Sequence, residues 1–126
     1  MVFFFFIILG SDFLKKYEVV KKNTDFNDII NTGKYLKSYC YNIYYKDGNA
    51  LYPKFGIAVS KKYGNAVERN KVKRQVRCLI DSHKNLFANG KNYIIMIRKG
   101  VKKLTYAEME QDLVKLLQKG TLDEKN

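Results

Sequence analysis

The hydrophobic and polar positions of this chain follow two different spacings. In three segments the apolar residues recur every three or four positions, which is the spacing of a helix with one buried face. In three others, aromatic and β-branched residues lie close together, which is typical of strands. In chain order, the pattern predicts a helix over residues 23–32, strands over 35–45 and 54–60, a helix over 65–88, a strand over 92–98 and a helix over 105–120. This order is typical of a small α+β domain.

The two strands that precede the long helix are predicted to pair as an antiparallel hairpin. Asp47 and Gly48 lie between them and form a frequent hairpin turn signal. Alternation along the first strand places Tyr45 on one face of the sheet and Tyr44 on the other. The run over residues 92–98 is apolar and flanked by glycines, which predicts a buried central strand.

Both long helices are predicted to begin with a capping box, in which a side chain and a backbone amide bond reciprocally across the first turn. Asn65 with Glu68, and Thr105 with Glu108, have the required spacing of three residues. Gly120 is predicted to end the last helix. The residues that follow it are then expected to form a frayed tail.

The helix that begins near residue 65 has an apolar stripe and a basic side. At about 100° per residue, four apolar side chains share one face: Val72, Val76, Leu79 and Ile80. The other side is polar, with Lys71 at its edge, and consists of Asn70, Lys73, Arg74 and Arg77. Arg69 projects at the margin of the apolar stripe, where we expect it to anchor the helix. Like charges at these spacings repel, so the helix presents either a solvated basic face or a surface for a polyanion.

The overall charge favours a polyanionic partner. The chain of 126 residues, enough for one domain, has a formal net charge of +12. A nucleic acid or an anionic membrane would each satisfy such a charge.

No arrangement of catalytic or metal-binding residues is evident. The one histidine, His83, is expected at the edge of the core, and there is no P-loop and no nucleophile elbow. Cys40 and Cys78 are far apart and have no Cys-x-x-Cys spacing, which favours a reducing cytoplasm over a disulfide or a zinc site. We therefore expect no catalytic and no metal-ligating residue in this polypeptide.

A specific motif lies at the junction between the second predicted strand and the basic helix. Residues 60–74 read Ser-Lys-Lys-Tyr-Gly-Asn-Ala-Val-Glu-Arg-Asn-Lys-Val-Lys-Arg. This segment resembles the signature of the bacterial ribonuclease P protein component, and the resemblance extends from about residue 21 to about residue 117. Lys71 stands where the family usually has arginine, which keeps the charge but loses the planar fork that grips phosphate. Cys78 stands where the family often has an acidic or polar residue.

The resemblance implies a fold and a function. The fold would be a small single domain with a mixed or antiparallel sheet packed against helices and a left-handed βαβ crossover around the basic helix, although the general rule favours right-handed crossovers in about 98% of cases. The function would be to assist a catalytic RNA in the hydrolytic removal of the 5′ leader from precursor tRNA. The partners would be ribonuclease P RNA and precursor tRNA, in the cytoplasm, with Mg²⁺ held mainly by the RNA; neither a membrane nor an obligate protein partner is expected.

The resemblance also implies two binding surfaces. The RNA subunit would contact Lys61, Lys62, Asn65, Arg69, Asn70, Lys71, Lys73, Arg74 and Arg77. The single-stranded leader would contact Phe26, Ile30 and Tyr44. Exposed aromatic rings beside cations suit unpaired nucleotides, although Phe26 and Ile30 are equally compatible with a place in the core.

The ends of the chain and two rival functions complete the expectations. Residues 1–13 are predicted to be a hydrophobic extension, before a domain over 14–120 and a frayed tail over 121–126. The preferred interpretation is a start codon assigned too early, and the alternative is a real hydrophobic tail that disorders or self-associates. One rival is a general structured-RNA-binding or ribosome-assembly protein that uses the same basic helix. The other is a membrane-surface protein with residues 3–9 inserted in lipid. A helix-turn-helix DNA reader is disfavoured, because no short helix precedes the basic one by a single turn.

Overall fold

The computed structural model of the chain describes Val20 and residues 23–125. Within these residues the chain forms three α-helices, α1 Asn23–Thr32, α2 Ala66–Ser82 and α3 Tyr106–Lys125, and four strands, β1 Lys34–Lys37, β2 Tyr41–Asp47, β3 Lys54–Val59 and β4 Lys91–Ile97. Short 3₁₀ turns follow β3, α2 and β4, at Lys61–Tyr63, Lys84–Leu86 and Lys99–Lys103. The predicted α+β class is confirmed, whereas the hydrophobic extension proposed for residues 1–13 lies outside the described residues.

The four strands form one mixed sheet in the order β1-β2-β4-β3. β2 is antiparallel to both β1 and β4, whereas β3 is parallel to β4. β4 is therefore a central strand, as its apolar run predicted. Because β3 and β4 are parallel neighbours, α2 forms the crossover between them. The left-handed sense of that crossover stays a prediction from the resemblance.

The predicted hairpin between residues 35–45 and 54–60 is wrong. The first of these segments is itself a hairpin, because the chain turns at residues 38–40 and β1 pairs with β2. A carboxylate far along the chain stabilises this turn: Asp112 of α3 accepts hydrogen bonds from the Cys40 amide and the Ser38 hydroxyl, each 2.9 Å long. The segment contains no glycine or proline. Its local turn signal is Ser38, whose hydroxyl accepts hydrogen bonds from the amides of Cys40 and Tyr41, and a single serine is a weak signal.

Helices pack on both faces of the sheet, and the edge strand β1 stays mostly exposed. The face toward α2 and α3 contributes Tyr41, Ile43, Tyr45, Phe55, Ile57, Val59, Tyr93, Ile95 and Ile97 to the larger core cluster. The predicted apolar stripes of the two helices, which comprise Val72, Val76, Leu79, Ile80, Met109, Leu113, Leu116 and Leu117, pack in the same cluster. The opposite face packs α1 through Phe26 and Ile29 against Ala58 and Ile94.

The helix starts are as predicted, and two helix ends are not. Both capping boxes are present, at Asn65 with Glu68 and at Thr105 with Glu108. α2 ends at Ser82 rather than near residue 88, and a 3₁₀ turn follows. α3 does not stop at Gly120 but continues to Lys125. A side chain at position 120 would overlap Leu36 of β1, so this glycine permits close packing and does not end the helix.

Gly56 in β3 provides the first test of this packing. A Cβ atom at this position would lie 2.7 Å from Cε2 of Phe26 and 2.8 Å from Cδ1 of Ile94. Because both neighbours are buried core side chains, we expect Gly56→Ala to lower the free energy of unfolding by about 1–3 kcal/mol. Thermal unfolding monitored by circular dichroism measures the change.

Gly48→Ala is the matched control for this substitution. The three atoms nearest to its Cβ atom would all belong to the amide end of the Asn92 side chain, which can move aside. We expect a clearly smaller loss of stability than for Gly56→Ala. Equal losses for the two variants would contradict the close packing of α1 against β3.

Candidate nucleic-acid interface

The turn between β3 and α2 holds two lysines in solvent. Ser60 caps the 3₁₀ turn, where its hydroxyl accepts a hydrogen bond of 3.1 Å from the amide of Lys62. The next side chain, Tyr63, is buried and anchors the turn in the core. Lys61 and Lys62 remain exposed. The turn is thus fixed at both ends, while its two cations point away from the core.

The first turn of α2 is stabilised by its capping box. The Asn65 side chain accepts from the Glu68 amide at 2.9 Å, and the Glu68 carboxylate accepts from the Asn65 amide at 3.2 Å. The hydrogen bond from the Asn65 amide, and secondly the ammonium of Lys102 at 3.4 Å, hold the pKa of Glu68 below its usual value. The resemblance predicts that Asn65 contacts RNA, and the structure gives its side-chain oxygen a capping role.

The polar residues of α2 divide into an exposed row and a covered row. Asn70, Lys71 and Arg74 are exposed, whereas Arg69 and Arg77 are half-buried. The predicted anchoring position of Arg69, at the margin of the apolar stripe, agrees with its partial burial. Helical projection places Lys73 on the open side, but only 5% of this residue is exposed, so that placement is wrong.

Lys73 lies between two further cations of the same helix. Its burial, and secondly the repulsion from Arg69 and Arg77, lower its pKa below the usual value of lysine. The three residues are spaced by four positions, so they form a row that starts at the margin of the apolar stripe and turns gradually away from it. Helical projection cannot tell how far along this row the protein covers the side chains. The buried face of α2 therefore extends beyond Arg69, the margin that the sequence indicated, and includes Lys73.

A basic groove of about 780 Å³ adjoins the same turn. It lies where the ends of β3 and β4 meet the hairpin turn at residues 38–40, and its lining includes Tyr39, Lys62, Arg98, Lys99, Lys102 and Lys103. Lys102 also lies 5.0 Å from the centre of the Tyr63 ring. Sequence reasoning missed this groove, although the cluster of cations at residues 98–103 was a visible signal.

The residues predicted to bind a single strand lie near α1, with unequal exposure. Phe26 is only 1% exposed and packs in the core, so it offers no open ring face. Ile30 and Tyr44 are half-buried against the same cluster. Lys46 of β2 forms an ion pair of 2.7 Å with Asp28 of α1, and this contact lowers the pKa of Asp28.

Residues 23–125 and Val20 contain no group of three or more His, Cys, Asp or Glu side chains placed to hold a metal ion. Burial, and secondly the hydrogen bond to Asp112, raise the pKa of the Cys40 thiol to about 12, so it is protonated at neutral pH. His83, which follows the end of α2, has its Nε2 atom 3.0 Å from a carboxylate oxygen of Glu110 in α3. Over the same residues, none of the helices has the length and apolar character needed to cross a bilayer.

A small α+β domain with a cluster of cations at a strand–helix junction is typical of nucleic-acid-binding proteins. Residues 14–121 match the family model described as Ribonuclease P. The chain therefore belongs to the ribonuclease P protein family, as the motif at residues 60–74 predicted.

Individual relatives agree with this membership. The ribonuclease P protein component of Mycoplasma mycoides is 48% identical over 105 residues, which cover 82% of this chain and 96% of that protein. The component of Streptococcus pneumoniae is 36% identical over 104 residues, covering 82% and 85%.

Solved structures agree as well. A mutant ribonuclease P protein of Staphylococcus aureus with defective mRNA degradation activity superposes with a TM-score of 0.78 at 32% identity, covering 84% of this chain and 90% of that one. The protein from Thermotoga maritima superposes with a TM-score of 0.74 at 26% identity, covering 81% and 96%.

The buried cation Lys73 provides a test of the electrostatics of α2. We expect Lys73→Met to be at least as stable as the natural protein near neutral pH, because methionine places no charge between Arg69 and Arg77. A lysine whose pKa is lower in the folded state than in the unfolded state destabilises the folded state as long as it is charged. The advantage of the variant should therefore shrink as the pH rises toward 10.5, the ordinary lysine value. Chemical unfolding over a range of pH measures this.

Arg74→Met is the control, because Arg74 is exposed on the same helix. This variant should change the free energy of unfolding by no more than about 0.5 kcal/mol. A clear loss of stability in Lys73→Met at neutral pH would show that favourable contacts hold the buried ammonium and outweigh its repulsion from Arg69 and Arg77.

Proposed function

We propose that this chain is the protein subunit of ribonuclease P and helps a catalytic RNA to remove the 5′ leader from precursor tRNA. The observation that supports this most directly is the family motif on a rigid strand–helix junction. The motif presents four exposed cations, Lys61, Lys62, Lys71 and Arg74, and the exposed amide of Asn70 lies among them. The capping box and the buried Tyr63 hold this set in place before any partner arrives.

The exposed motif residues are proposed to bind phosphates of the RNA subunit. Cations held on one surface release counterions from RNA when they bind, so the affinity depends steeply on salt. Four phosphate contacts would lower the affinity roughly 100-fold between low and physiological salt. The half-buried Arg69 and Arg77, and the buried Lys73, act mainly by adding positive potential beneath this surface.

The sheet face beside α1 is proposed to bind the leader. Tyr44 is half-buried there, with Ile30 of α1 in the same cluster. An unpaired base can stack on an aromatic ring regardless of its identity, and such a contact contributes about 1–3 kcal/mol. Mature tRNA has no leader, so this contact would favour the substrate over the product. Phe26 would support the site from beneath.

The bond-breaking step is assigned to the RNA subunit. Mg²⁺ is a hard cation that prefers oxygen ligands such as phosphate and water. The described residues of this chain provide no cluster of carboxylates that fits it. The protein is proposed to contribute by binding the leader and by reducing the repulsion between crowded phosphates. The cytoplasm is proposed as its compartment, which its two free cysteines fit.

Arg74→Ala tests the proposed contact with the RNA subunit. Removal of one phosphate contact should weaken binding to a bacterial ribonuclease P RNA and reduce the slope of log affinity against log salt by about 1. Filter binding over a series of salt concentrations measures both quantities. Lys115→Ala, which removes an exposed charge from α3, is the control and should change neither.

Two results would contradict the assignment. If the two variants weaken binding equally, the effect reflects net charge and not the motif surface. If the natural protein binds an unrelated structured RNA of the same length equally well, the chain is a general RNA-binding protein.

Tyr44→Ala tests the proposed leader site. We expect it to weaken binding of a precursor tRNA to the assembled holoenzyme by about 1–3 kcal/mol, while binding of mature tRNA is unchanged. Tyr44→Phe should retain the affinity, because the stacking face is preserved. Equal losses for precursor and mature tRNA in Tyr44→Ala would show that Tyr44 acts through the fold and not through the leader.

A further inference from the structure

An exposed tyrosine on the edge strand lies directly beside the proposed leader site. Tyr35 of β1 pairs across the strands with Tyr44 of β2. The centres of the two rings are 5.9 Å apart, and their planes are inclined by 36°. Tyr35 is 63% exposed, whereas Tyr44 is half-buried against the core. The two rings therefore form one continuous aromatic surface that runs from the core to the rim of the sheet.

We propose that Tyr35 is a second stacking position for the leader, so that the sheet face holds two successive unpaired nucleotides rather than one. This inference rests on the proposed function of Tyr44 and adds a residue that determines how much of the leader is bound. No sequence pattern distinguishes Tyr35 from the other tyrosines around it. Its place is evident only from the pairing of β1 with β2.

The arrangement suits nucleotides for two reasons. Aromatic rings on adjacent strands of an open sheet stack two or three bases in other single-strand-binding proteins, and here the rings lie on directly paired residues. The surroundings also have the right charge, because Lys37 follows two positions later on the same face of β1 and is exposed. Leu36, between them, points to the opposite face and packs against the larger core cluster.

A purely structural role for Tyr35 makes a different prediction. A cross-strand aromatic pair stabilises a sheet modestly on its own, and tyrosine is a common residue of strands. In that case, replacement of Tyr35 would change stability alone. The test therefore needs a readout that follows individual leader nucleotides and does not respond to small changes in stability.

The experiment combines protein variants with precursor tRNAs that carry one abasic nucleotide at successive leader positions. Dissociation constants are measured for the assembled holoenzyme with natural protein, Tyr35→Ala or Tyr44→Ala. With an intact leader, Tyr35→Ala should weaken binding about 5- to 30-fold. At one abasic position this loss should disappear, because the base that stacks on Tyr35 is already missing. Tyr44→Ala should show the same coupling at an adjacent position.

Two further variants serve as controls. Tyr35→Phe should retain the natural affinity because it keeps the ring face. Tyr106→Ala removes another exposed tyrosine, at the start of α3 on the other side of the sheet, and should not change binding of any leader.

The possible failures are distinguishable. If Tyr44→Ala couples to a leader position and Tyr35→Ala couples to none, the leader site stands and the inference about Tyr35 is wrong. If neither variant couples to any position, the proposed leader site itself is wrong. If Tyr35→Ala leaves all affinities unchanged but alters self-association in sedimentation experiments, the edge strand pairs with a second copy of the chain and not with RNA.

Discussion

The parallel pairing of β3 with β4 is the constraint on which the rest of this structure depends. Parallel neighbours require a long crossover, and α2, the helix that carries the family motif, is that crossover. Parallel strands also end at the same edge of a sheet. The basic turns that follow β3 and β4 are therefore brought together, as the distance of 5.0 Å between the Lys102 ammonium and the centre of the Tyr63 ring shows. An antiparallel pair would have placed the two turns at opposite ends of the sheet.

The gathered cations repel one another, and the fold resists that repulsion by local devices. The buried Tyr63, the hydroxyl of Ser60 and the capping box each stabilise the junction, and the Glu68 carboxylate of that box also pairs with Lys102. Repulsion from Arg69 and Arg77 contributes to the lowered pKa of Lys73, so it already acts within the free protein. A polyanion that binds this surface relieves the repulsion, and a junction that is already stabilised lowers the entropic cost of binding.

The sequence was most informative where structure is determined locally. Capping boxes require only two side chains three residues apart, and both were predicted correctly. The apolar stripe of α2 and the central position of β4 followed from patterns within single elements. The family motif identified the junction and its partner class, because a dense match over fifteen residues leaves few other interpretations.

Features that depend on distant residues were not predictable in this way. The turn at residues 38–40 is stabilised by Asp112, more than seventy positions away, so local pattern alone predicts one strand through it. The burial of Lys73 depends on how far the protein covers one flank of α2, and the continuation of α3 through Gly120 depends on Leu36 of another element. The basic groove and the pairing of Tyr35 with Tyr44 required the strand order. That order follows from long-range packing and not from local spacing.

The central claim is that this protein assists an RNA catalyst and does not cut RNA itself. The most direct test is single-turnover cleavage of a precursor tRNA at low Mg²⁺, with a bacterial ribonuclease P RNA, with this protein, and with both. We expect rapid release of the 5′ leader only when both components are present. Cleavage by the protein without RNA would contradict the claim, and so would a failure to accelerate the reaction while the protein remains bound to the RNA.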